Sequence, residues 1–315
     1  DKALFPQIEK FLSGVEINPD YKLPVKSDEV GTNKPVAPAT SGFAFTSTRF
    51  DDGWYAELKP DYVEVKKGEI TVLLHFADSR TARGGDPVPT INNAWDILIA
   101  PKYKSLKNYV TRSPTDYQRA LFGAGDVTDA SGRSFYVAVF NRGKSGWMEF
   151  ITQNKQAFVA EYGIDADFID WSTSSDVWNK MENMAYYNRF AVGQNDLSGK
   201  WTSDFKGMQD YYSVYTGSHV ATTVHQSTEV FDFLPGLKYN WSLLAINGPS
   251  GAMRYDQVKN SGKFSMPGNW QLSFSNIEGK PRTYDVYFSC IRGGRILWMQ
   301  DAQYKNGWTF YGLKK

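Results

Sequence analysis

Few groups in this sequence combine a type and a spacing that could do chemistry. They are three histidines (His75, His219 and His225), one cysteine (Cys290) and a short acidic run, Asp165, Asp167 and Asp170. His219 and His225 stand six apart. In one strand they share a face, but at ~3.3 Å per residue they lie roughly 20 Å apart, too far to ligate one metal ion. His75, in V-L-L-H-F, reads as a hydrogen-bonded strand residue rather than a base. Cys290 lacks the His and Asn context of a thiol nucleophile and reads as a small buried hydrophobe. Hard oxygen ligands close together in a loop suit calcium, so the three aspartates are the candidate metal ligands. The glycine and terminal glutamate of an EF-hand loop are missing, and the run reads as a solvated turn between two helices. H-E-x-x-H, C-x-x-C, G-x-S-x-G and G-x-x-x-x-G-K-[ST] patterns are all absent. No catalytic residue, bound metal or cofactor is therefore expected. The enzymatic reading left open is a pair of carboxylates facing each other across a cleft.

Composition narrows the classes further. There are 35 Lys and Arg against 34 Asp and Glu, a net charge of +1. Nucleic-acid binders gain affinity by neutralising phosphates, so this balance argues against them. No apolar run approaches the ~20 residues that span a bilayer, and no transmembrane segment is expected. The start, D-K-A-L-F-P-Q-I-E-K, has no signal-peptide pattern, and a mature N-terminus is compatible with it. At ~100–200 residues per domain, 315 residues suggest two domains. Aromatic residues make up 16%, an excess that suits half-buried β-structure and reads as packing.

The elements follow from periodicity. Residues 1–43, with Pro6, Pro19, Pro24, Pro35 and Pro38, read as an extended arm or linker. Residues 44–190 read as an α+β domain, an antiparallel sheet with helices. F-A-F-T-S-T-R-F, W-Y-A-E-L-K-P, D-Y-V-E-V-K-K and E-I-T-V-L-L-H-F-A are strand-like, with turns at Asp52-Gly53 and Lys67-Gly68. Ile91, Ala94, Trp95 and Leu98 give one helical face, with Thr90 as N-cap and Pro101 as stop. Three more strand-like runs follow, ending with G-W-M-E-F-I-T. A helix then runs from an Asn154 cap to Gly163. Another places Val177, Met181, Met184 and Asn188 on one face. This element order, with F-D-D-G-W as a local echo, is similar to the PsbP/Mog1-like fold. That resemblance implies a binding or assembly role.

From residue 195 to 315 the pattern is all β. Turn signals fall at Pro235-Gly236, Pro249-Ser250-Gly251, Asn260-Ser261-Gly262, Pro267-Gly268-Asn269, Glu278-Gly279, Gly293-Gly294 and Asn306-Gly307. Alternation puts Trp270, Leu272 and Phe274 on one face, and likewise Tyr239, Trp241, Leu243 and Ala245. Short turns between such strands predict an up-and-down meander that removes its edges by closing. Asn195 to Trp201, N-D-L-S-G-K-W, resembles the lipocalin opening motif G-x-W. The resemblance covers about 120 residues and implies a lipocalin-like barrel. In it Gly199 and Trp201 sit at the closed end, packed against Arg292 or Arg295 of C-I-R-G-G-R-I-L-W. T-Y-D (Thr283 to Asp285) echoes the second motif of that family.

Three functions are weighed. The first is a non-enzymatic binding protein that holds a small apolar or amphipathic ligand in the barrel mouth. Tyr239, Trp241, Trp270, Phe274 and Trp298 are its lining candidates. The second is a structural or interaction module binding an envelope protein or glycan through exposed aromatics such as Tyr211, Tyr212, Tyr215 and Trp308. The third is a carboxylate-based hydrolase in the interdomain cleft. A bacterial secreted or cell-envelope location is expected. Whether the barrel interior is empty or filled is the observation that separates the first two.

Overall fold

The computed structural model describes residues 42–82, 84–114, 119–142, 146–203, 225–247, 254–305 and 307–314. The first sheet comprises β1 (Ser47–Arg49), β2 (Tyr55–Leu58), β3 (Tyr62–Lys67), β4 (Ile70–His75), β5 (Ser105–Arg112), β6 (Leu121–Thr128), β7 (Ser134–Asn141) and β8 (Met148–Thr152). Its order is β1-β2-β3-β4-β8-β7-β6-β5, antiparallel throughout. Val63 and Val65 are buried and their neighbours Tyr62 and Glu64 half-buried, as the alternation of β3 requires. β5 escapes sequence patterning. It is an edge strand with a register shift between Lys107 and Val110, and its residues grade from exposed to half-buried without alternating.

Helices cover both faces of this sheet. On one, α1 (Pro87–Leu98) packs Ile91, Ala94 and Trp95 onto Val137, Val139 and Trp147. The helix starts four residues earlier than the Thr90 cap would place it. Asp86 accepts from the Val88 N–H at 3.3 Å, and Pro87, with its φ already helical, takes the first position. Thr90 instead donates to the Asp86 carbonyl at 2.6 Å. On the other face lies α2 (Lys155–Tyr162), capped by Asn154 and ended by Gly163 as its sequence indicates. The stretch beyond it is not one α-helix. It is a 3-10 turn (Ser175–Trp178), a single α-turn (Asn179–Glu182) and a second 3-10 turn (Asn183–Tyr187). Trp178, Met181 and Met184 are the buried stripe, three apart, which is the 3-10 repeat; Val177 is 37% exposed.

The second set is β9 (Gly199–Thr202), β10 (His225–Leu234), β11 (Lys238–Asn247), β12 (Arg254–Gly268), β13 (Gln271–Ile277), β14 (Lys280–Ile291), β15 (Gly294–Asp301) and β16 (Thr309–Lys314). Each pairs with the next, and β9 pairs with both β10 and β16, so the meander closes into an antiparallel barrel. One expected turn is absent. Asn260-Ser261-Gly262 lies within β12, where Gly262 serves close approach instead of a bend. A Cβ there would meet Ser275 Oγ at 2.2 Å and the Tyr239 ring at 3.3 Å.

One end of the barrel is plugged. A 3-10 turn, Gln194–Leu197, leads into β9, and Trp201 Nε1 donates to the Leu197 carbonyl at 2.8 Å. β13 is too short to pair with all of β14. Phe190 fills the free edge, exchanging backbone hydrogen bonds of 2.8 and 2.9 Å with Phe288. Asn188 adds side-chain bonds to the backbone of Cys290. The cores of the sheet and the barrel are continuous through these residues. Gly199 turns the chain into β9 at φ +108°, a conformation that favours glycine. Gly199→Ala is expected to cost about 1–3 kcal/mol, read as a lower urea midpoint with an unchanged slope. A midpoint within error of wild type would contradict this.

Candidate functional site

The barrel interior is built in layers set by strand register. Gly199, Phe233, Tyr239 and Gly262 are neighbours across β9 to β12; so are Trp201, Phe231, Trp241 and Asn260. One step further from the plugged end, Glu229, Leu243 and Val258 pair across β10 to β12. The lower layers are full. Phe231 lies 5.1 Å from Phe274 and 5.4 Å from Tyr311, ring centre to ring centre, and Tyr239 lies 4.8 Å from Phe274. Phe264, Leu272, Tyr284, Val286, Leu297 and Met299 complete the packing.

Above this packed floor sits one acid. Trp241 Nε1 donates to Glu229 Oε1 at 2.6 Å, and the Tyr311 hydroxyl donates to Oε2. Burial pushes the Glu229 carboxyl above its usual range, against the pull of those two hydrogen bonds. Burial and the nearby Glu229 charge together hold the Tyr311 hydroxyl well above its ordinary value. Toward the rim, Arg282 pairs with Asp301 at 3.1 Å and with Glu278 at 2.5 Å. Val258, in the same layer, is 38% exposed. The sequence carries a signal for Glu229: it shares the strand parity of Phe231 and Phe233, a charge on the apolar face of T-E-V-F-D-F.

The five lining candidates divide. Tyr239, Trp241 and Phe274 are inside, buried in the floor. Tyr239 is anchored by its hydroxyl, which donates to the Asn276 carbonyl at 2.7 Å. Trp270 precedes β13, lies in the turn and is 43% exposed, so it does not join Leu272 and Phe274 on their buried face. Trp298 is on the outer face, between buried Leu297 and Met299, stacked on Tyr287 at 5.9 Å. Its indole donates to Ser289 Oγ at 2.8 Å.

Gly199 and Trp201 are at the plugged end, and of the two arginines Arg295 is the one buried there. Its guanidinium carbon lies 4.4, 5.4 and 5.6 Å from the ring centres of Phe43, Phe190 and Phe288. Phe288 also touches Trp201, at 5.5 Å. Burial draws the Arg295 pKa down. Arg292 is exposed and pairs with Asp61 of the first sheet.

The acidic run is held by protein groups. Lys155 Nζ lies 2.6 Å from both Asp165 and Asp167, while Asp170 accepts from the Ser172 N–H and hydroxyl, each at 2.8 Å. Among the described residues no His, Cys, Asp and Glu group has the arrangement of a metal site. His75 Nε2 lies 2.9 Å from the buried Glu149, which Lys102 also meets. The gap of about 160 Å³ between sheet and barrel is lined by His75 and Cys290 and by no carboxylate. Burial raises the Cys290 thiol to about 12, far from a thiolate nucleophile. The side chains of Tyr211, Tyr212, Tyr215, His219 and His225, the Pro249-Ser250-Gly251 turn and nearly all of the 1–43 arm lie outside the described residues.

No family model, curated protein or solved structure matches the chain. The fold itself defines the class: a closed eight-stranded antiparallel β-barrel, compatible with a lipocalin-like barrel, beside an eight-stranded sheet. No described helix is long and apolar enough to cross a membrane.

Proposed function

We propose that this chain is a non-enzymatic binding protein that takes a small amphipathic ligand in its barrel, beside Glu229 and above the packed floor. The observation carrying this reading is Glu229, a carboxyl inside an aromatic interior. An ionised group in such a place is costly unless paired. Each carboxylate oxygen accepts one hydrogen bond there and has capacity for another. A ligand whose buried end donates hydrogen bonds uses that capacity, and an amine offsets the charge as well. The apolar body of the ligand then lies along Leu243 and Val258, above the Trp241 indole. Tyr239 and Phe274 act as packed floor. Trp270 and Trp298 have no part in this site. The reading goes with a secreted or cell-envelope location.

Three twelve-carbon probes separate the possibilities by calorimetry: dodecylamine, dodecanol and dodecanoate. Dodecylamine is expected to bind most tightly and dodecanoate least, because its carboxylate meets Glu229. Glu229→Gln should weaken dodecylamine by about tenfold, or ~1.4 kcal/mol, and leave dodecanol nearly unchanged. Equal affinity for all three probes, or no response to the substitution, would contradict the proposal.

A further inference from the structure

A second site lies outside the barrel. We propose that a groove centred on Arg189 binds an acidic glycan, with a pyranose ring stacked on Trp270 and Trp308 and its carboxylate paired with Arg189. The groove holds about 490 Å³ and is lined by Arg189, Trp270, Gln271, Asp285, Tyr287 and Trp308. Arg189 projects between two tyrosines, its guanidinium carbon 5.3 Å from the Tyr186 ring centre and 4.8 Å from that of Tyr287. Among the described residues its side chain makes no hydrogen bond or ion pair. A guanidinium held beside two aromatic rings, with its donors free, is set to take a carboxylate through two parallel hydrogen bonds.

The aromatic walls are preorganised. Tyr287, Trp298 and Phe310 are direct cross-strand neighbours on β14, β15 and β16. Tyr287 and Trp298 stack at 10°, Trp298 and Phe310 lie 5.1 Å apart, and Trp308 meets Tyr287 edge-on at 4.7 Å. Rings fixed in this way lose little freedom when a ligand arrives. Trp270 is 43% exposed, and among the described residues its ring stacks on no other. It offers an open face.

The polar groups favour a sugar over an apolar protein surface. Gln271 donates to Asp285 at 2.9 Å, which fixes two planar groups beside the rings. Lys305 lies 3.8 Å from the other oxygen of Asp285. That carboxylate is thus already engaged, and Arg189 is left to a ligand anion. A second groove of about 460 Å³ adjoins on the far side of Arg189, lined by Trp54, Tyr186, Tyr187 and Asp52. Tyr186 is 61% exposed there. A chain of several sugars therefore has a continuing path of alternating rings and polar groups.

The test is calorimetry of the whole chain with trigalacturonate, a hyaluronan tetrasaccharide and sialyllactose, and with neutral cellotriose as contrast. At least one acidic glycan is expected to bind about tenfold or more tighter than cellotriose. Trp270→Ala should weaken that binding by about tenfold or more. Arg189→Gln should remove the preference for acid and leave cellotriose unchanged. Circular dichroism melts confirm that both variants fold. The proposal is overturned if none of the three acidic glycans binds, if Arg189→Gln binds them as wild type does, or if a peptide library occupies the groove and no glycan competes.

Discussion

Trp201→Ala is expected to be among the most destabilising single substitutions in the barrel, at about 3–5 kcal/mol. At ~2–4 °C per kcal/mol, that is roughly a 10 °C fall in Tm. The side chain is fully buried at the plugged end. Its ring lies on Phe288, and its indole N–H holds the Leu197 carbonyl that leads into β9. Truncation leaves a cavity that Arg295 cannot fill, because its guanidinium is already placed among the Phe43, Phe190 and Phe288 rings. It also leaves a buried carbonyl without its donor. Trp270→Ala is the contrast. Its ring is in a surface turn, and a change within about 0.5 kcal/mol is expected. Urea unfolding of the two variants checks this, and equal losses would show that the plugged end is not what holds the barrel together.

Glu229 gives the second large effect. Glu229→Ala removes the acceptor from Trp241 Nε1–H and from the Tyr311 hydroxyl inside the barrel. At about 1–3 kcal/mol for each stranded donor, a loss of roughly 2–6 kcal/mol is expected. Glu229→Gln keeps an acceptor and should cost much less. The pair also differs with pH. The native pKa of Glu229 lies above its unfolded value, so between the two the native protein holds more protons than the unfolded chain. Stability from this group therefore falls as pH rises through that window, and the full benefit is present below the unfolded value near 4.5. Melting points of wild type and Glu229→Gln should separate as pH rises from 4.5, wild type losing ground. Parallel curves would show that the carboxyl is not desolvated.

The barrel was legible because its strands alternate and its turns are marked. Leu272 and Phe274 against Gln271 and Ser273 is a period-two pattern with one wet face. Gly199 and Trp201 added a motif at the start of the meander. The limits were equally physical. Residue parity places a side chain on a face but does not say where a strand begins, so parity groups Trp270 with Leu272 although β13 starts at Gln271. Nor does parity say which face is the interior. Trp298 belongs to the outer set with Tyr287 and Phe310, while Leu297 and Met299 fill the lumen. Gly262 resembles a turn signal in sequence, yet it is a contact point for Tyr239. In the first sheet β5 lacks alternation because it is an edge, and the Trp178, Met181, Met184 stripe follows a 3-10 repeat within a run that also fits an α-helix. The groove at Arg189 joins residues about a hundred positions apart, Tyr186 and Arg189 with Tyr287 and Trp308, which no local pattern connects.

Photo-crosslinking tests the binding account most directly. Dodecylamine carrying a diazirine at mid-chain is irradiated with the whole chain, and the labelled peptides are mapped by mass spectrometry. Adducts are predicted on Leu243 and Val258, with loss of label when unmodified dodecylamine competes and when Glu229 is replaced by glutamine. Label confined to the outer face at Trp298 and Phe310, or label that Glu229→Gln does not reduce, would contradict binding inside the barrel beside Glu229.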